Sequence, residues 1–390
     1  MKKNNTKLFI SILFGLITFQ LVAQEEPHKE SNHVKGLSGV TKNVIIGYAY
    51  SDFIYTPNST VKTNFTRVGF SPTMVWMLGD KLFFESQVEF YTDSGNINTK
   101  IEYLKLSHII NKYMTVGMGK ILTPFGLYTE RIEAPFIEKM PNAPLGLKHM
   151  EGVPNIGPIC PEMGVDLRGG FYVGNGKMNY VLYVSNGAIL NDGSEEAHLA
   201  GSLNYENFFD NNSNKSFGGR IGYLPLSNSS LEIGGSWNLC EVGNDKSAYE
   251  HLKSKAYSFD VTFHQTYRPI KSMVDFKGQI NFLHVDKANY LDEDGNVYSF
   301  ENKSNVYYLR FSVRPALLHN NYLKRMELIG RYSVADYAKE ALWGGESKRT
   351  DLGLSYWLSL RTGLRIAYEK GNFGHGTSEE AVLVRFVTGF

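Results

Sequence analysis

From residue 43 to the C-terminus the chain repeats one pattern. Apolar and polar side chains alternate with period two, in runs of about ten residues. The runs lie at 43–55, 66–78, 82–91, 101–109, 113–121, 164–173, 178–186, 217–224, 231–239, 256–265, 274–285, 305–315, 326–336, 350–358, 362–369 and 381–390. The clearest is 305–315, where Tyr307, Leu309, Phe311 and Val313 alternate with Arg310, Ser312 and Arg314. Successive side chains of a strand point to opposite faces, so each run predicts a strand with one apolar and one wet side.

A soluble sandwich would show the same alternation; the connections separate the two cases. Short links (79–81, 110–112, 174–177, 225–230, 359–361) take turns with longer polar ones (122–163, 187–216, 240–255, 286–304, 337–349). Short turns at one rim and long loops at the other are the pattern of an outer-membrane barrel. Placing 197–205 in an extracellular loop keeps the alternation and an even count. Runs of this length suit a tilted crossing of the hydrocarbon layer. Sixteen strands enclose a lumen too wide for side chains to fill. The predicted fold class is therefore all-β: a transmembrane, antiparallel, up-and-down β-barrel of 16 strands, with 18 as the alternative. Aromatics near the run ends (Tyr48, Tyr50, Tyr55, Trp76, Tyr113, Trp237, Tyr307, Tyr356, Trp357) are expected at the headgroup boundary.

The N-terminus predicts export. Lys2, Lys3 and Lys7 precede the apolar run Leu8–Val22, then Ala23 and Gln24-Glu25-Glu26. These are the parts of a secretory signal peptide, 1–23. The polar stretch 24–42 is expected to be a periplasmic tail, and 43–390 the outer-membrane barrel. No further apolar run reaches the ~18 residues of a spanning helix.

One stretch breaks the alternation. Between Gly119 and Gly169 lie about forty residues rich in proline and without a sustained period. A loop that long is more often functional than accidental. It is expected to fold into the lumen and set the width and charge of a pore.

Composition removes some classes. A net charge of +1 lacks the basic excess of a nucleic-acid binder. The two cysteines, Cys160 and Cys240, give no metal spacing; they could pair if both stand at one rim. The histidines form no H-E-x-x-H. Gly234-Gly235-Ser236-Trp237-Asn238 lies in a strand and lacks the nucleophile spacing, and Gly371–Gly376 reads as a hairpin loop. Asp292–Asn296 carries carboxylates that suit a hard cation, without EF-hand spacing. No catalytic residue, metal or cofactor is expected, and the chain does not read as an enzyme.

Several short segments, in order, resemble the phosphate-selective porin O and P family and its broader relatives: GKILTPFGLYTER at Gly119–Arg131, GVDLRG at Gly164–Gly169, YVLYVSNG at Tyr180–Gly187, FGGRIGYLP at Phe217–Pro225, ELIGRYSVADY at Glu327–Tyr337 and LGLSYWL at Leu352–Leu358. The resemblance implies a sixteen-stranded outer-membrane porin, usually a homotrimer among its lipids, with its third loop folded into the lumen. Small polar solutes or inorganic ions would cross passively. The alternative is a non-conducting barrel that acts as an adhesin, receptor or assembly component through its extracellular loops.

Charge departs from the family's anion preference in one place. The long loop holds Arg131, Lys139 and Lys148 against Glu130, Glu133, Glu138, Glu151 and Glu162. The expected constriction set is Arg131, Glu133, Glu138, Lys139, Lys148 and Glu151. If apolar residues face outward, Arg168, Arg220, Lys277, Arg310, Arg314, Arg331, Arg361, Arg365 and Arg385 face the pore as a basic wall. Fewer acids, Glu327, Asp351 and Glu369, face inward across the last third. Two readings follow: a basic strip opposing an acidic loop, with a leaning toward anions, or arginines paired to wall carboxylates that only fix the barrel. The direction of Lys120 is left open by parity.

Overall fold

The computed structural model describes residues 42–93, 96–148, 154–206, 208–373 and 377–390. The expected signal peptide, nearly all of the expected tail and Glu151 lie outside them. Sixteen strands close into one antiparallel barrel. They are β1 (Lys42–Tyr55), β2 (Thr63–Leu78), β3 (Leu82–Asp93), β4 (Asn96–Asn111), β5 (Met114–Ile121), β6 (Glu162–Val173) and β7 (Gly176–Ser185). After two short strands outside the wall, β8 (Ile189–Leu190) and β9 (Leu203–Asn204), come β10 (Ser216–Leu224), β11 (Leu231–Glu241), β12 (Lys253–Tyr267), β13 (Ser272–Leu291), β14 (Val297–Arg314), β15 (Met326–Tyr337), β16 (Gly345–Trp357), β17 (Thr362–Phe373) and β18 (Thr377–Gly389). Each wall strand pairs with its chain neighbours in the wall, and β18 returns to β1. At the seam Gly47 and Phe390 exchange backbone hydrogen bonds of 3.1 and 3.0 Å, and the terminal ring stacks on Phe70. Closure leaves no unpaired edge, which is the condition for strands to sit in lipid.

The rows of the ladder show the two faces. Phe263, Phe276 and Phe311 stand side by side on β12–β14, and next to them Thr262, Lys277 and Arg310. Phe311 is 50% exposed and Arg310 is 1% exposed. Apolar side chains thus cover the outside of the barrel, Val68, Leu309, Leu328 and Leu352 among them, while polar ones fill the inside. Such a wall is inside-out relative to a water-soluble domain.

Two expectations need correction. The loop placed at 286–304 is largely strand, since β13 and β14 run on to a tight turn at Asp292–Asn296, and the one placed at 337–349 shrinks to 338–344, since β16 begins at Gly345. In these extensions the inner face packs Val285, Tyr290 and Phe300 against the loops, and a register shift between Val285 and Ala288 breaks the alternation that would have shown it. In the turn, the Asp292 carboxylate accepts the backbone N–H groups of Asp294 and Asn296, which explains the acidic cluster without a cation. Second, Tyr48 and Tyr50 are not belt residues. They point inward, where Tyr48 accepts from Gln87 at 3.1 Å and Tyr50 donates to Glu89 at 3.0 Å. Trp357 also turns in, donating to Glu327 at 2.9 Å. Tyr55, Trp76 and Tyr113 are exposed on the outside. Cys160 and Cys240, whose pairing the sequence leaves open, are both free and buried. A water-soluble maleimide is expected to leave both thiols unmodified in the folded barrel and to modify both after denaturation. Labelling of the native protein would contradict their burial.

Candidate functional site

The segment between β5 and β6 enters the barrel. Its apolar residues Phe125, Leu127, Tyr128, Ile132, Leu145, Leu147, Ile156 and Ile159 join one buried cluster with wall residues such as Val306 and Tyr308. Its prolines leave one short helical turn, Tyr128–Arg131, so most of its backbone groups need partners elsewhere. Wall side chains supply them. Gln279 of β13 accepts the N–H groups of Leu127 and Tyr128 at 2.8 and 2.9 Å. Ser236 accepts that of Gly126 at 3.0 Å. Gly126 sits at φ +66°, and a Cβ there would strike Gln279 at 2.1 Å, so only glycine fits this docking point. Arg365 donates to the carbonyls of Pro135 and Phe136. Asn281 donates to that of Ile156.

Charge pairs hold the rest. Arg310 donates to Glu138 at 2.6 Å and lies 3.4 Å from Asp275. Lys139 reaches Glu327 at 2.5 Å, Ser312 at 3.0 Å and Asp275 at 3.5 Å. Arg331 binds Asp351 at 2.8 Å and both the carbonyl and the amide oxygen of Asn142. At the other end of the loop, Arg131 meets Glu232 at 2.8 Å, and Glu130 meets Arg168 at 2.8 Å. Burial alone would raise the Glu130 carboxyl; the Arg168 and Arg131 guanidinium groups outweigh it and hold it below the usual range. These bonds run to β6, β7, β11 and β13–β17.

The proposed wall residues therefore divide. Arg168, Arg220, Lys277, Arg310, Arg331, Arg365 and Arg385 stand on the inner face, buried or half-buried. Each is engaged: Arg220 by Asp260 at 2.5 Å and Glu232 at 3.1 Å, Arg385 by Asp52 at 2.6 Å, and Lys277 by Asp275 at 3.7 Å. Two differ. Arg314 closes the short-turn rim, donating to the Lys324 carbonyl at 2.9 Å with its guanidinium 5.5 Å from the Trp357 ring. Arg361 lies in the turn between β16 and β17, outside the wall, because β16 ends at Trp357. Of the loop set, Glu138 and Lys139 are buried in the ion pairs, Glu133 is half-buried, and Lys148 is exposed. Lys120 is buried, donating to the Ile101 carbonyl at 2.6 Å beside the Phe208 ring.

Across from the docked loop stands the arc β2–β4. Its inward side chains Glu85, Gln87, Glu89, Lys100 and Glu102 are half-exposed. Pairing of β3 with β4 jumps from Gln87↔Tyr103 to Val88↔Ile101, so Glu102 is the extra residue of a β-bulge. Bulges re-aim a side chain, and here Glu102 comes within hydrogen-bond reach of Glu89. Nearby cations are partly spent: Lys105 faces Asp166 at 3.5 Å, and Lys100 pairs with Glu206 of the loop after β9. Phe136 at the loop's end rests on Tyr48, ring centroids 5.7 Å apart. Alternation in the run 82–91 puts Glu85, Gln87 and Glu89 on its wet face. It does not single them out, since nothing local shows which wet residues the loop will cover. The bulge at Glu102 has no sequence signal at all.

No family model matches this chain, and no curated protein matches it. Solved structures do. OmpF of Salmonella typhi, in complex with daunomycin, superposes with a TM-score of 0.60 at 10% identity, over 90% of this chain and 98% of that one. DcaP, an outer-membrane channel of Acinetobacter baumannii, gives 0.56 at 9% identity over 92% and 100%. The anion-selective porin from Comamonas acidovorans gives 0.55 at 12% identity over 90% and 100%. At such identities the likeness is one of fold. The chain has a sixteen-stranded closed barrel, the fold of these outer-membrane porins, and the likeness extends to the fold alone.

Proposed function

We propose that the protein is a passive diffusion channel of a bacterial outer membrane, with its water path between the docked loop and the β2–β4 arc. The observation that carries this reading is the asymmetry of the lumen. The loop is fastened to one side of the barrel, and the opposite arc keeps its polar side chains half-exposed. The likeness of fold to outer-membrane channels supports it. Export by the N-terminal segment and a trimeric assembly belong to the same proposal.

The charge left facing water favours cations over anions. Of the arginines that looked like a selectivity strip, Arg310, Arg331 and Arg385 are consumed in ion pairs, Arg365 is held by loop carbonyls, and Arg314 and Arg361 stand at the short-turn rim; a paired charge contributes little field to a passing ion. What remains on the arc and the loop is Glu85, Glu89, Glu102 and Glu133 against Arg67, Lys100 and Lys148, a small surplus of acid. The anion leaning of the phosphate-selective relatives is not carried by this arrangement. Purified protein in a planar bilayer is expected to give stepwise conductance, with a reversal potential on the cation side in a potassium chloride gradient.

One observation favours a second reading. The loop between β7 and β10 covers part of the long-loop rim. Leu190, Ala200, Leu203 and Tyr205 join the same buried cluster as the inserted loop, and Trp343 donates to the Ala200 carbonyl at 2.9 Å. If this cover closes the lumen, the barrel is a non-conducting adhesin, receptor or assembly component. Membrane insertion without conductance would decide for it.

A further inference from the structure

The outer surface carries a feature that the lumen does not need. At the top of the apolar band, on the side of the long loops, cross-strand pairing sets Lys255, His284 and Lys303 in one row across β12, β13 and β14. The row below it is Tyr257, Phe282 and Asn305. Together they line an open groove of about 520 Å³ on the outside of the wall. Glu301 touches both His284 and Lys303 and holds them side by side. Lys255 has no ion-pair partner among the described residues. Two lysines and a histidine thus stand with Glu301 in the groove, with Asp336 beyond Asn305 at 3.3 Å in the lower row, directly above exposed aromatic rings.

A second groove lies farther down the same side. Leu309, Phe311 and Tyr332 rise around Gly330, where an added Cβ would meet nothing within 4 Å. The furrow holds about 330 Å³ and faces the hydrocarbon. From Lys303 to Phe311, the partner of Gly330 across β14 and β15, is ~26 Å at the rise of a strand. At a tilt of ~45° that is ~19 Å along the membrane normal, which from a headgroup at the water boundary reaches about the middle of a hydrocarbon core ~30 Å thick. A basic groove at the water boundary and an apolar furrow one leaflet-depth below it match the two ends of one molecule.

We propose that this face binds an anionic lipid of the outer leaflet, with its headgroup phosphate on Lys255 and Lys303 and an acyl chain in the furrow at Gly330. A phosphate takes charge-assisted hydrogen bonds from such side chains, and basic residues near an anionic lipid surface add to the attraction. The inference rests on the barrel standing in a membrane and not on its conducting.

The test uses the folded barrel in detergent, with bis-phosphorylated lipid A as the probe and native mass spectrometry as the readout. Lipid A is expected to remain bound, and its dephosphorylated form to bind tenfold or more weakly. Lys255→Glu with Lys303→Glu should weaken lipid A by at least as much, and Gly330→Leu should weaken both forms by filling the furrow. Lys112→Glu, in the turn between β4 and β5 on the opposite side of the barrel, should change nothing. Folding is read from heat-dependent electrophoretic mobility; if the glutamate pair fails to fold, Lys255→Gln with Lys303→Gln takes its place. Equal binding of the two lipid forms would overturn the proposal. So would displacement by inorganic phosphate, which marks a free-anion site, or a changed subunit number in the lysine variants, which marks an interface between copies. Conductance should be the same in all these variants, so a failed lipid test and a failed channel reading stay distinguishable.

Discussion

Replacing Arg310 with methionine is expected to lower the unfolding free energy by about 3–5 kcal/mol, the usual cost of removing one partner from a buried charge network. Arg310 is 1% exposed and bridges Glu138 of the loop to Asp275 of the wall. Methionine keeps much of the volume but leaves Glu138 without its guanidinium. Asp275 keeps Lys139 at 3.5 Å, so the damage concentrates on the loop. Adding Glu138→Gln to Arg310→Met should recover part of the loss, since the stranded charge is gone; the coupling is the quantity of interest. Urea unfolding of the barrel in lipid vesicles measures it. A loss below ~1 kcal/mol would mean that water reaches the pair and that the loop is not clamped there.

The second large effect concerns ions. Glu89→Lys combined with Glu133→Lys is expected to move the reversal potential from the cation side to the anion side. Both residues lie beside the proposed path, and neither holds the loop in the arginine pairs. Arg361→Glu, in a turn outside the wall, should leave the sign unchanged. An unaltered reversal potential in the double variant would remove the acidic arc from the account. Acidification gives an independent check. Burial pushes the Glu133 carboxyl above its ordinary range. It therefore takes up its proton at a higher pH than an ordinary carboxylate, and cation preference should begin to fall there. Lowering the pH should weaken the preference and never strengthen it.

These two experiments separate charges that look alike in the sequence. Arg310 and Glu89 are both inward residues of alternating strands. One is spent on structure, and the other remains beside water. The difference comes from the loop, whose residues 138 and 139 close onto strands more than 130 residues later in the chain. Removing an arginine from this set tests the fold, whereas removing a glutamate from the arc tests conduction.

The sequence by itself determined the strands and their faces. Period two is a local property, and a chain whose outward residues are Val68, Phe311, Leu328 and Leu352 has only one way to satisfy its backbone in lipid, which is to close. The inserted segment was also legible, because seven prolines within forty-odd residues rule out a strand. Tertiary structure alone decided which charges survive as free charges. It turned Tyr48 and Tyr50 inward, ended β16 before Arg361, and displaced Glu102 through a bulge. The physical reason is range: alternation depends on neighbours two residues apart, while ion pairing across a lumen joins residues whose nearness only the closed barrel creates.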